Sequence, residues 1–73
     1  MPYHLSPRER EIVALVVTGA TNKEIAHQLA ISVKTVTNLL TRVFTKMRTR
    51  TRTELAVQVV RSEFGALEWQ RGS

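Results

Sequence analysis

Seventy-three residues allow one small domain, with a core near the lower limit of independent stability and little room for an enclosed active-site cleft. The absence of cysteine excludes disulfide and thiolate-metal scaffolding, so packing alone must hold the chain together. The net charge of +5 is confined: residues 34–52 carry Lys34, Arg42, Lys46, Arg48, Arg50 and Arg52 with no acid, while residues 1–33 are neutral and residues 53–73 sum to −1. This is the distribution of a footprint for a polyanion rather than of a generally basic surface.

In chain order, residues 1–5 read as a linker end or the cut edge of a longer protein. Ser6 opens a start signal, with Pro7 suited to the first helical position and Glu9 three residues on to complete a capping box. The first helix is predicted over 7–18, with Ile12, Leu15 and Val16 recurring at helical spacing. Gly19 is placed to close it in the left-handed conformation. The box recurs at Thr21 and Glu24 before a second helix, 22–29, with Ile25, Ala26 and Leu29 inward, and again at Thr51 and Glu54 before a fourth, 52–63, carrying Leu55, Ala56, Val59 and Val60. No stretch alternates as a strand does, and proline occurs only at positions 2 and 7, so every later helix is unbroken. The fold class is all-α, with four helices and one domain over residues 6–64. Gly65 ends or interrupts the fourth helix, and 65–73 form a C-terminal tail in which Trp69 packs back or frays.

The third helix, predicted over 33–47, is the informative one. At about 100° per residue, Val36, Leu40, Val43 and Met47 share one face, while Lys34, Asn38, Thr41 and Thr45 line the other. The second face has no acid, and carries the amide, hydroxyl and ammonium groups that bond base edges and phosphates. Ser32 can cap the start, setting the positive end of the helix dipole beside Lys34 and Thr35, where a phosphate would be favoured. A threonine-rich surface helix without a ligand, or a solvated charge run, is the plainer alternative. The connection from the second helix, Leu29 to Ser32, is short enough to force a steep crossing, the arrangement of a helix-turn-helix. Ala26 would allow close approach of the two axes and Val36 would fill the angle between them.

These residues resemble the helix-turn-helix effector domain of LuxR-type transcription regulators, the NarL/FixJ group. The likeness runs through LSPREREIVALVVTGATNKEIAHQLAISVKTV, TKM and TRTELA, with the opening LSPRERE, the NKEIA of the second helix and the IS-x-x-TV start of the third in register. The resemblance implies a four-helix domain that binds double-stranded DNA as a homodimer, the third helix in the major groove and the fourth at the dimer contact. Carried over by position, it implies base reading by Thr37, Asn38 and Thr41, with Lys34 on base or phosphate, and phosphate contact by Asn22, Lys23, Thr35, Arg42 and Lys46. Thr45, on the polar face, and Arg48, in the basic exit, join the phosphate set. The dimer set is Val57, Val60, Arg61 and Phe64; Val57, Val60 and Phe64 widen the apolar sector of the fourth helix beyond what one small core covers. The tail with Trp69 is the other candidate cover.

Three positions depart from the family pattern, which usually has lysine at Thr37, often histidine or tyrosine at Leu39, and Gly-Val at Arg48 and Thr49. Loss of the lysine removes a cation that could reach guanine or phosphate, so the operator cannot be copied from relatives. Loss of the glycine removes the residue that most easily closes a helix at positive φ, and Arg48, Arg50 and Arg52 are placed to recover backbone charge. An enzyme is not expected: aspartate and cysteine are absent, and His4 and His27 stand alone, without a metal or acid/base constellation. No cofactor or metal is implied. The alternatives are a sigma-factor-like promoter-binding domain, which NKEIA and the opening motif disfavour, and a basic protein-interaction module. RNA binding lacks aromatic stacking platforms on the third helix. RNA polymerase and a sensor domain outside this chain are further candidate partners, and the lack of a visible sensor favours a domain excised from a longer protein. The longest apolar run, Ile12 to Val17, is far short of a membrane span, so a cytoplasmic protein without membrane contact is the expectation.

Overall fold

The computed structural model describes residues 4–61. Four helices occupy them: α1 (Pro7–Val17), α2 (Asn22–Leu29), α3 (Val33–Met47) and α4 (residues 52–61), with no strand among the described residues. The expected fourth-helix end at 63, and the expectations for Phe64, Gly65, Trp69 and the tail, lie outside the described residues.

The starts are set locally, as the sequence indicates. Ser6 Oγ accepts the Glu9 N–H (3.2 Å) and Glu9 Oε1 accepts the Ser6 N–H (2.7 Å). Thr21 and Glu24 repeat the pair at 3.1 and 2.8 Å. Each box satisfies two backbone donors that the helix itself cannot. Ser32 caps α3 by accepting the Thr35 N–H at 3.0 Å. The expected third box is only half formed: Thr51 Oγ1 accepts the Glu54 N–H at 3.1 Å, but the Glu54 carboxylate accepts from Arg50 N–H at 3.4 Å rather than from Thr51.

Three helix ends close through a residue at positive φ, and only the first is glycine: Gly19 at 91°, Ala30 at 56° and Arg48 at 53°. The two non-glycine ends use the same bonds. Ile31 N–H donates to Ala26 O and Thr49 N–H to Phe44 O, both at 3.0 Å, each turning the chain back over the last helical turn. Helix α3 therefore ends where a glycine would have ended it, although the arginine Cβ is strained there.

The core sits on the apolar face of α3. Val36, Leu40, Val43 and Met47 are buried with Ile12, Val13 and Val16 of α1, Ile25 and Ala26 of α2, and Leu55 and Val59 of α4. Burial of each larger side chain contributes about 1.5–3 kcal/mol. Leu15, Leu29 and Ala56 are half-buried at the core's margin, Val13 replaces Leu15 as a central residue of α1, and Val60 faces out. Leu5, expected at a linker's edge, is a core residue at 6% exposure. Ala26 and Val36 are both buried in this core, on the two helices that flank the turn, where a small residue and a β-branched one suit a close approach.

Two ties between distant residues lock this arrangement. Lys46 Nζ, near the end of α3, reaches Glu9 Oε1 at 2.8 Å and His4 O at 3.1 Å. Glu9 is 2% exposed, and the Lys46 ammonium, with the Ser6 N–H, holds its carboxyl below the usual carboxylate range against the opposing effect of burial. Arg52, at the head of α4, donates to Asn22 Oδ1 and Ala20 O, each at 2.5 Å.

Candidate nucleic-acid interface

The exposed side of α3 begins at Val33 and continues through Lys34, Thr35, Thr37, Asn38, Thr41, Arg42 and Thr45. It is exposed because the opposite face supplies the core, so the same periodicity that folds the domain clears this surface. Lys34, Asn38 and Arg42 make no side-chain hydrogen bond or ion pair among the described residues. Their donors face solvent, ready for an external acceptor. Ser32 takes the Thr35 N–H, and its hydroxyl lies 2.9 Å from that of Thr35. The first two N–H groups of α3 keep the unpaired character of a helix start, and the exposed Lys34 belongs to the same first turn.

The threonines behave differently. Thr37 Oγ1 donates to Val33 O (3.1 Å), Thr41 Oγ1 to Thr37 O (3.0 Å) and Thr45 Oγ1 to Thr41 O (3.0 Å). Each hydroxyl proton is turned to the carbonyl four residues back, a pattern open to threonine on a helix.

The head of α2 adjoins the head of α3. Thr21, Asn22, Lys23, Val33 and Arg52 line one shallow depression between them. A guanidinium only donates, so Arg52 holds the carboxamide oxygen of Asn22 and leaves its NH₂ as a donor turned elsewhere. This role for Arg52 was not legible in the sequence, where the residue counted only as a charge.

Of the six cations in residues 34–52, four stay exposed without a side-chain bond among the described residues: Lys34, Arg42, Arg48 and Arg50. Two are engaged. Arg52 bonds to neutral groups, so its charge persists but its geometry is fixed. Lys46, expected on phosphate, is instead bound to Glu9, which neutralises it locally. Glu9 gave no sign of this in the sequence, because its capping role already accounted for it.

On helix α4, Val57 and Val60 are exposed at 45% and 36%, and Arg61 is exposed beside them. No helix among the described residues is long and apolar enough to cross a membrane.

Helices α2 and α3 around a tight turn, braced by α1 and α4 and presenting an acid-free polar face, define a helix-turn-helix domain of the DNA-binding kind. The chain belongs to the bacterial regulatory proteins of the luxR family, whose family model matches residues 3–59. Curated relatives agree. The chain is similar to the response regulator Rre1 of Synechocystis sp., 50% identical over 50 residues, covering 68% of this chain and 22% of the relative. It is similar to the monoamine regulon transcriptional regulator of Klebsiella aerogenes, 49% over 55 residues, covering 75% and 24%. It is also similar to the transcriptional regulatory protein LiaR of Bacillus subtilis, 41% over 58 residues, covering 80% and 28%. The chain spans about a quarter of the length of these relatives. Its family is one of DNA-binding transcription regulators, as the resemblance implied.

Proposed function

We propose that this domain recognises a specific duplex DNA sequence by inserting α3 into the major groove. Lys34, Thr37, Asn38 and Thr41 meet base edges there; Asn22, Lys23, Thr35, Arg42 and Arg48 hold the phosphates on either side, while Thr45, expected among them, has its hydroxyl proton on Thr41 O. Lys46 is left out of the phosphate set because its ammonium is paired with Glu9. The observation that carries this proposal is the exposed, acid-free face of α3, on which Lys34, Asn38 and Arg42 have no partner among the described residues.

The division of labour follows from chemistry. Phosphate contacts release counterions and supply most of the affinity without regard to sequence. Asn38 supplies discrimination, because a carboxamide pairs bidentately with adenine N6 and N7. Asn38→Ala should therefore lose about 1–3 kcal/mol on the cognate site alone. Arg42→Ala should weaken all DNA similarly and reduce the salt slope by about one. Fluorescence anisotropy on a selected site and a scrambled duplex, each at several salt concentrations, separates them; identical behaviour of the two variants would refute the division into readers and holders.

Two copies meet through α4 on the DNA. Val57 and Val60 are apolar and exposed, with Arg61 beside them, so the helix offers a surface that a second copy can cover. The contact is small, and DNA is expected to strengthen it. Sedimentation at high protein concentration, with and without a duplex holding two half-sites, should show a two-to-one complex; monomers under both conditions would remove the dimer. In a longer regulator, a sensor domain and RNA polymerase are the further partners this domain would connect.

A further inference from the structure

The hydroxyl bonds along α3 constrain what its threonines can read. Thr37, Thr41 and Thr45 recur every four residues in line with Val33, which is 46% exposed, so one stripe of β-branched side chains runs the length of the outward face. All three hydroxyl protons go to the helix backbone, at 3.0–3.1 Å. With the hydroxyl proton turned to the carbonyl, each side chain presents its γ-methyl group and the lone pairs of its oxygen. Nothing in the stripe donates.

In the major groove, guanine shows two acceptors, N7 and O6, which need donors. Thymine shows its C5 methyl group, and adenine N6 and cytosine N4 show amino donors. A stripe of methyl groups and acceptors fits thymine and adenine, and leaves the guanine acceptors unsatisfied. A threonine could turn its hydroxyl outward to guanine only by giving up a hydrogen bond already formed.

We propose that the stripe Val33, Thr37, Thr41 and Thr45 reads A·T pairs through thymine methyl groups, making it a specificity determinant in which the hydroxyls act as internal braces and the methyl groups as readers. This rests on the placement of α3 in the major groove. Donor-dependent recognition then falls to Lys34 and Asn38, each one position after a stripe residue and so together along the same side of it, and guanine is read by Lys34 near the head of the helix.

The test begins by enriching duplexes from a random library with the whole 73-residue chain. Each thymine of the enriched site is then replaced by uracil, which lacks only the methyl group, and Thr37, Thr41 and Thr45 are each changed to Val and to Ser. Uracil at a contacted position should weaken binding about fourfold, the equivalent of one lost methyl contact. Thr41→Val, which keeps the methyl group and loses the hydroxyl, should bind within about twofold of the parent and remain sensitive to uracil. Thr41→Ser should lose about fourfold and become blind to uracil at the position it faces. Thermal melting of each variant confirms folding.

Loss on Thr41→Val with retention on Thr41→Ser would overturn the proposal and make the hydroxyl a donor. Uracil that is neutral at every position would overturn it too. In either case, an enriched sequence whose binding still falls on Asn38→Ala leaves the major-groove placement standing. Failure to enrich any sequence would overturn both.

Discussion

Arginine and threonine at positions 48 and 49 make the exit of α3 less stable than the same backbone could be. Arg48 sits at φ 53° and ψ 46°, where the Cβ of an L-residue crowds the following carbonyl at a cost of about 1–2 kcal/mol. Glycine avoids that crowding but loses more freedom on folding, about 0.5–1 kcal/mol. Arg48→Gly should therefore stabilise the domain by about 0.5–1 kcal/mol. Thr49 is 7% exposed, and its buried Oγ1 has no hydrogen-bond partner among the described residues. Such a hydroxyl costs about 1–3 kcal/mol, and valine fills the same space without it. Because the positions adjoin, their effects need not add, but together about 2 kcal/mol is expected, raising the melting temperature by about 10 °C in a domain of this size. Urea and thermal denaturation followed by circular dichroism measure both variants and the pair. Destabilisation by Arg48→Gly, or no gain from Thr49→Val, would refute the strain and orphaned-hydroxyl reasoning respectively. The same Arg48→Gly change should reduce the salt slope of DNA binding by about one, so stability and affinity move in opposite directions.

Two further outcomes follow from the ties between helices. Glu9 has a lowered pKa in the folded chain, so its contribution is fully present above the unfolded carboxylate value of about 4.3 and is lost as pH falls through the lower folded value. Glu9→Gln should destabilise the domain by about 1 kcal/mol at neutral pH, Lys46 being partly solvent-screened, and should flatten the stability profile in the acid range; an unchanged profile below pH ~5 would show that the pair contributes nothing there. Arg52→Lys keeps the charge but cannot hold Asn22 Oδ1 and Ala20 O with one planar fork. It should lower stability by about 1 kcal/mol and weaken binding to all DNA alike, and retention of both would mean that Asn22 needs no brace.

What the sequence made legible is what short-range rules govern. Ser6 with Glu9 and Thr21 with Glu24 are signals confined to four residues, and they formed as read. The core face of α3 came from periodicity alone, since Val36, Leu40, Val43 and Met47 can share a side only in a helix. The third box was half right because Glu54 had a competing donor, Arg50 N–H, one residue before the cap. Contacts across the fold were hidden for a different reason. Lys46 and Glu9 are separated by 37 positions, and Arg52 and Asn22 by 30. Nothing local distinguishes Lys46 from Arg42, and only the packing of α3 on α1 brings its ammonium to a carboxylate. Leu5 was hidden similarly: one apolar residue before a cap has no periodicity to place it in the core.

The polar face of α3 was legible as a face, but its chemistry was not. Thr37, Thr41 and Thr45 looked like donors available to DNA, and the structure shows their protons committed to the backbone. Four-residue spacing permits that arrangement without requiring it.

The most direct test of the central claim is a backbone amide NMR titration of the chain with a short duplex of mixed sequence, repeated at two salt concentrations. Shifts that concentrate at residues 22–24 and along α3, and that shrink as salt rises, are the predicted result. Shifts confined to α4, or none at all, would contradict it and leave the basic face of α3 to a partner other than DNA.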